Sequence, residues 1–208
     1  RAALSMIEAG ERSGVLTVDK TVIEATSGNT GIGLALVCAV KGYQLLLAMS
    51  EAVSVERQKI LKARGAKILL TPGHLGTDGA IEEVYRLVRE NPDAYYMTDQ
   101  FNNPANWQAH YNGTAIEIWE QTDGKVDGFI CAVGTGGTLA GVSCALKERN
   151  PDIHIGLADP EGASLDSFFR TGELVPSAGN SIMEVIVINH VTANVAEARV
   201  DSSYSIPD

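Results

Sequence analysis

The chain has 208 residues, a formal net charge of −10 and 45% hydrophobic residues. That length and apolar content suit one large domain or two small ones around a buried core. The acidic balance, with no basic stripe, argues against nucleic acid as a partner, and no apolar run reaches the length of a membrane span.

Ala3, Leu4 and Ile7 are spaced for a helix over 2–12, which Gly14 can stop. Arg1 opens straight into this pattern without an initiator Met or a signal-peptide layout, and Asp208 follows Ile206 and Pro207 with no element ending there; the chain reads as a fragment cut at both ends. Residues 21–25 read as a strand, 32–40 as a helix ending near Gly42, and 43–49 as a strand. The nearly continuous apolar run at 43–49 is the kind buried on both faces of a parallel sheet. Ser54 can cap a helix carrying Arg57, Ile60 and Leu61 that ends at Gly65, and a short strand follows at 67–70. Thr77 or Asp78 can cap the next helix, through Ile81, Val84, Tyr85 and Val88, before a strand at 95–97. Asn103 and Pro104 form a cap and first turn for a helix to about Glu120. Strands at 126–133 and 153–158 flank a helix over 139–149. Beyond Asp159 the alternation weakens: 162–179 reads as loop, and 182–195 is apolar without a clear period. Alternating strands and helices predict an α/β fold with a parallel sheet covered on both faces. Cys38, Cys131 and Cys144 sit far apart in apolar segments and read as buried thiols of a reducing, cytoplasmic compartment.

The chain is organised around Thr26-Ser27-Gly28-Asn29-Thr30-Gly31, a turn of small polar residues between a strand and a helix. The first N–H groups of a helix have no intrahelical partner and carry the positive end of its dipole, so such a turn is an anion site. A second strand–turn–helix repeats the design at Gly134-Thr135-Gly136-Gly137-Thr138. Neither loop has the Lys of a Walker phosphate loop. Each also fails the dinucleotide fingerprint, where Leu36 or Leu139 would occupy the place that needs a small residue. What remains is a phosphorylated cofactor in one loop and a small carboxylate in the other. The glycines of 134–138 suit phosphate, and the hydroxyls of 26–30 suit a carboxylate. For either loop alone, a simple helix cap is the competing reading.

Several motifs in order carry a resemblance: TSGNTG at 26–31, EAVSVERQKILKARGA at 51–66, QFNNPAN at 100–106, GTGGT at 134–138 and DPEGAS at 159–164. The chain resembles the fold type II pyridoxal-phosphate enzymes (tryptophan synthase β-like), closest to the cysteine synthase (O-acetylserine sulfhydrylase) family, with cystathionine β-synthase as near kin. The resemblance implies two three-layer lobes with mostly parallel sheets and the cofactor between them. Residues 15–103 would form a smaller, substrate-loop lobe. Residues 104–208 would form a larger, cofactor-phosphate lobe, truncated, with 1–14 packing nearby. It implies pyridoxal 5'-phosphate as cofactor, with Gly134, Thr135, Gly136, Gly137 and Thr138 on its phosphate and Asn29 on its phenolic oxygen. Thr26, Ser27, Thr30 and Gln100 would grip the substrate carboxylate; for Gln100 the competing reading is a solvated loop residue. No metal is implied. The partners implied are O-acetylserine and sulfide, and a second copy of the chain in a homodimer when intact, with no nucleic acid or membrane.

The departures are local. Arg1 resembles the end of the family's Ser-Val-Lys-Asp-Arg pattern, which puts the Schiff-base Lys two residues before it and leaves no catalytic residue within the chain. A Glu-Gly-Ile-Gly segment of the family stands here as Glu184-Val185-Ile186-Val187, and Met-Pro-Glu as Met49-Ser50-Glu51. The expected activity of the intact enzyme is β-replacement of O-acetylserine by sulfide, giving cysteine and acetate, and the chain as given is expected to be an inactive fragment of it. A cystathionine β-synthase-like activity, an amino-acid dehydratase and a catalytically silent homologue are the alternatives.

Overall fold

A computed structural model describes residues 1–208 except Ser27, Asn180, Glu184 and Val185. It divides into two compact units, Arg1–Gln100 and Phe101–Asp208. The unit boundary lies between Gln100 and Phe101, whereas the sequence reading divides the chain between 103 and 104. Residues 1–14, expected beside the second lobe, belong to the first unit.

The first unit runs α1 (Ala2–Ser13), β1 (Thr21–Ala25), α2 (Asn29–Lys41), β2 (Gln44–Ser50), α3 (Val55–Ala63), β3 (Lys67–Thr71), α4 (Gly76–Glu90) and β4 (Tyr95–Met97). Its strands form one parallel sheet in the order β3-β2-β1-β4, with Val22 opposite Leu45 and Ile23 opposite both Leu46 and Met97. Side chains alternate across a strand, and here both faces are apolar. Val22, Leu45, Leu47 and Met49 join one core with Ile7 of α1, Leu34 and Cys38 of α2 and Leu61 of α3. Ile23, Ala25 and Ala48 join a second core with Ala80 and Val84 of α4. The α1 helix stays in this unit because Tyr96 reaches it. The Tyr96 hydroxyl donates to the Met6 carbonyl at 2.9 Å, and a Cβ at Gly10 would lie 2.4 Å from the ring. Gly42 ends α2 in the left-handed region at φ 81° and returns its N–H to the Cys38 carbonyl at 2.8 Å. The α4 helix begins at Gly76 with Leu75 at its N-cap, two or three residues before the side-chain cap expected from Thr77 or Asp78.

The second unit runs α5 (Pro104–Ala109), a π-turn (His110–Thr114), α6 (Ala115–Gln121), β5 (Gly128–Ala132), α7 (Gly137–Arg149), β6 (His154–Pro160), α8 (Leu165–Thr171), α9 (Ala193–Ala196) and β7 (Ser202–Ile206). The parallel sheet has the order β5-β6-β7. Ile153, Ile155 and Leu157 pack with Leu139, Val142 and Leu146 of α7, Leu165 of α8 and Val195 of α9. Asn103 caps α5 as its sequence predicts, its Oδ1 accepting from the Ala105 N–H at 3.0 Å. The π-turn has a packing cause. A Cβ at Gly141 of α7 would lie 2.2 Å from the Trp107 carbonyl oxygen and 2.6 Å from the Tyr111 nitrogen, so the two helices cross backbone to backbone. The segment read as loop at 162–179 contains α8, and β7 was not anticipated at all. Cys38 and Cys144 are buried and Cys131 is half-buried, all as free thiols. Burial pushes Cys38 up to about 12 and Cys131 up to about 11, which leaves both uncharged at neutral pH.

Candidate active-site loops

At the C-terminal end of β1 the chain turns through Thr26 and Gly28 into α2. Thr26 is buried, its N–H donating to the Ala48 carbonyl at 3.0 Å and its Oγ1 accepting from the Gly28 N–H at 3.2 Å. Asn29 and Thr30, expected in the turn itself, form the first turn of α2, with Asn29 exposed and Thr30 half-buried. Their position matters, because first-turn N–H groups lack intrahelical partners and point out of the helix end. The helix start lies close to the sheet: a Cβ at Gly31 would stand 3.0 Å from Thr26 Cγ2 and 3.3 Å from Leu47 Cδ1. Ser27, predicted for the same site, lies outside the described residues.

Gln100 is drawn onto this turn. It is only 4% exposed, its Nε2 donating to the Ala25 carbonyl at 2.8 Å and its N–H to Glu24 Oε2 at 3.0 Å. It is a built part of the strand end rather than a solvated loop residue. Glu24 was not singled out from sequence. It is fully buried, accepting from the Ala25 N–H at 3.0 Å through Oε1 and from the Thr98 hydroxyl at 2.5 Å through Oε2, beside the Gln100 bond. Burial pushes its carboxyl up to about 7, against the pull of the Thr98, Gln100 and Ala25 donors and with a further upward push from Asp99. An acid in the middle of an apolar strand was the available signal.

In the second unit β5 ends at Ala132, and residues 134–136 turn into α7. Gly136 adopts φ 88°, the left-handed region open to glycine, and a Cβ there would meet Val195 Cγ2 at 2.5 Å and the Val195 nitrogen at 2.8 Å. A Cβ at Gly137 would fall 2.2 Å from Asn106 Oδ1. These glycines are therefore required by packing as well as by any ligand. Thr135 is braced from both sides: Asn106 Nδ2 donates to its Oγ1 at 3.0 Å, and the Thr192 hydroxyl donates to its carbonyl at 3.0 Å. The same Thr192 Oγ1 accepts the Val195 N–H at 3.0 Å as the cap of α9. Thr138 Oγ1 lies 3.5 Å from His110 Nε2, whose other ring nitrogen is 2.9 Å from Thr114 Oγ1. Asn106, Thr192 and Val195 were missed as supports, although Asn106 closes a motif quoted for the resemblance.

A phosphate group suits this loop. The start of α7 presents first-turn N–H groups, and Thr135 Oγ1 accepts from Asn106 Nδ2 and weakly from the Gly137 N–H at 3.4 Å, leaving its own proton to donate outward. Gly136 and Gly137 let the loop backbone lie directly against Val195 and Asn106, which a Cβ at either position would strike.

The whole chain, residues 1–208, matches the model of the pyridoxal-phosphate dependent enzyme family. The chain belongs to that family. It is 51% identical over 155 residues to a cysteine synthase of Aquifex aeolicus (strain VF5), covering 74% of this chain and 47% of that protein. It is 51% identical over 147 residues to cysteine synthase A of Escherichia coli (strain K12), covering 71% of this chain and 46% of that protein. Among solved structures, a cysteine synthase (OASS) from Entamoeba histolytica superposes with a TM-score of 0.89 at 39% identity, over 99% of this chain and 59% of that one. The chain thus spans about half the length of the two sequence relatives. The α/β fold with parallel sheets is that of fold type II.

Two other features bear on the site. Of the valines that stand where the resemblance has glycines, Val187 is half-buried and Val185 lies outside the described residues. An open groove of about 670 Å³ over β3 and α4, lined by Leu70, Thr71, Leu75, Tyr85 and Arg86 among others, contains none of the predicted site residues. Among the described residues no helix is long and apolar enough to cross a membrane, and no group of three or more His, Cys, Asp or Glu is placed to hold a metal ion.

Proposed function

We propose that the enzyme containing these residues is a cysteine synthase, replacing the acetate of O-acetylserine with sulfide to give cysteine. The observation that carries the reading is Gln100 bonded to the Ala25 carbonyl at the end of β1, next to Thr26 in the chain, which brings polar groups suited to a carboxylate to one strand terminus. The names of relatives at 51% identity supply the chemistry that such a site would serve. In this reading Thr26, Ser27, Thr30 and Gln100 bind the amino-acid carboxylate, and Asn29 bonds the phenolic oxygen of pyridoxal phosphate. Gly134, Thr135, Gly136, Gly137 and Thr138 hold the phosphate by backbone N–H groups and hydroxyls. When bound, the cofactor supplies an electron-withdrawing ring that stabilises negative charge at the substrate's α-carbon.

Neither loop contains a side chain that titrates near neutrality. Their work is to bind and orient: the carboxylate is fixed at one helix start and the phosphate at the other. Fixed donors in each loop orient the group that loop binds. The free thiols Cys38, Cys131 and Cys144 accord with a reducing cytoplasmic compartment, and a homodimer remains part of the reading through the resemblance alone.

The test is product analysis. The purified full-length protein that contains these residues, loaded with pyridoxal phosphate, is given O-acetylserine and sulfide, and in a parallel reaction serine and homocysteine. Cysteine with matching acetate in the first reaction is expected. Cystathionine in the second reaction alone would make the protein a β-synthase, and no product in either would make it a silent homologue.

A further inference from the structure

We propose that Glu24 is the positioning residue of the carboxylate site, locking Gln100 and the backbone entering Thr26 into one arrangement. The proposal deepens the reading of residues 26–30 and Gln100 as a carboxylate site and rests on it.

The geometry is a closed ring of hydrogen bonds. Glu24 Oε1 accepts the Ala25 N–H at 3.0 Å, Glu24 Oε2 accepts the Gln100 N–H at 3.0 Å, and Gln100 Nε2 returns to the Ala25 carbonyl at 2.8 Å. The Thr98 hydroxyl adds a further donor to Oε2 at 2.5 Å. Among the described residues, every donor to the carboxyl comes from within two residues of Thr26 or Gln100, so the side chain gathers these two segments. A carboxyl in a buried strand carries a large desolvation cost, which an aliphatic residue at the same place would avoid. A structural plug would not need an acid, whereas both oxygens of a carboxyl can accept, so it takes all three donors. Glutamine cannot do the same, because its NH₂ group would face donors, and aspartate is one methylene short of them.

Glu24→Gln and Thr98→Val are made in the cofactor-loaded protein, with Thr30→Ala in parallel. L-alanine is the probe, since it has the carboxylate and amine but no leaving group to turn over. Its binding is followed together with thermal stability and with the backbone amide resonances of Ala25 and Gln100. We expect Glu24→Gln to weaken L-alanine binding roughly tenfold and Thr98→Val by a smaller factor in the same direction, with phosphate retention unchanged. In the parent, the Ala25 and Gln100 amides move together as Glu24 titrates and move again on adding L-alanine; in Glu24→Gln they no longer respond to pH. A folded Glu24→Gln or Thr98→Val protein with parental affinity overturns the proposal, and so does a parent whose Ala25 and Gln100 amides ignore L-alanine. If Thr30→Ala weakens binding and Glu24→Gln does not, the carboxylate site stands and Glu24 has no part in it. If none of the three weakens binding, the carboxylate reading fails and this proposal with it.

Discussion

Replacing Gly136 by alanine adds one methyl group at a tight, left-handed point of the second loop. The backbone there has φ 88° and ψ −13°, and holding an L-residue in that region costs about 1 kcal/mol. The new Cβ would lie 2.5 Å from Val195 Cγ2, which rotation of the valine can relieve. It would also lie 2.8 Å from the Val195 backbone nitrogen and 3.1 Å from its Cα, which rotation cannot relieve. Relief would require α9 to move at its first turn. There the Val195 N–H is held by Thr192 Oγ1 at 3.0 Å, and Thr192 in turn donates to the Thr135 carbonyl at 3.0 Å. Overpacking against such a network costs about 1–3 kcal/mol. Gly136→Ala should therefore lose about 2–4 kcal/mol in a urea unfolding titration at constant m-value, and should release pyridoxal phosphate on dialysis faster than the parent. A loss below about 1 kcal/mol would show that the loop yields freely, and the account of α9 as its brace would be wrong.

Other outcomes follow from the same geometry. Glu24 ordinarily titrates at 4.5 and is held up to about 7 in the fold, so the stability it contributes is complete below 4.5 and is lost as pH rises through 7. The stability difference between parent and Glu24→Gln, measured by unfolding at pH 4.5 and 7.5, should shift against the parent by about 3 kcal/mol; a shift in the opposite sense would mean that the carboxyl is ionised in the fold throughout. Tyr96→Phe removes the donor to the Met6 carbonyl at 2.9 Å and should cost about 1–2 kcal/mol, seen as a lower urea midpoint, with no effect if α1 is not tied to the sheet there. Thr192→Val keeps the shape but removes both the cap of α9 and the bond to Thr135, and should cost about 1–3 kcal/mol and loosen cofactor retention; unchanged retention would separate α9 from the loop.

The fold of the first unit was legible because its strands are short apolar runs and its helices have clear stops. The near-continuous run at β2 gave a strand buried on both faces, and Gly42 marked the end of α2. The second unit was legible as far as β6. Beyond it, α8 is only seven residues long and lies among Gly, Ser and Pro, while β7 reads Ser-Ser-Tyr-Ser-Ile and lacks the apolar pattern that identifies a strand. Its place is set by pairing with β6, which is a tertiary effect. The two strand–turn–helix loops were visible because strand, small-residue turn and helix are local features. Their supports were not: Glu24 is tied to residues 98–100 and Thr135 to Asn106 and Thr192, contacts between segments far apart in the chain. The α1 placement was missed for the same reason, since Tyr96 and Met6 meet only once the sheet has formed.

The central claim is that one loop holds phosphate and the other a carboxylate. A two-step heteronuclear NMR titration of the labelled protein tests it most directly, with pyridoxal phosphate added first and L-alanine second. The account predicts that the cofactor moves the amides of 134–139, and that the amino acid then moves those of 26–31 and Gln100. Cofactor-induced shifts that leave 134–139 unmoved, or an amino-acid response that leaves 26–31 and Gln100 unmoved, would contradict it.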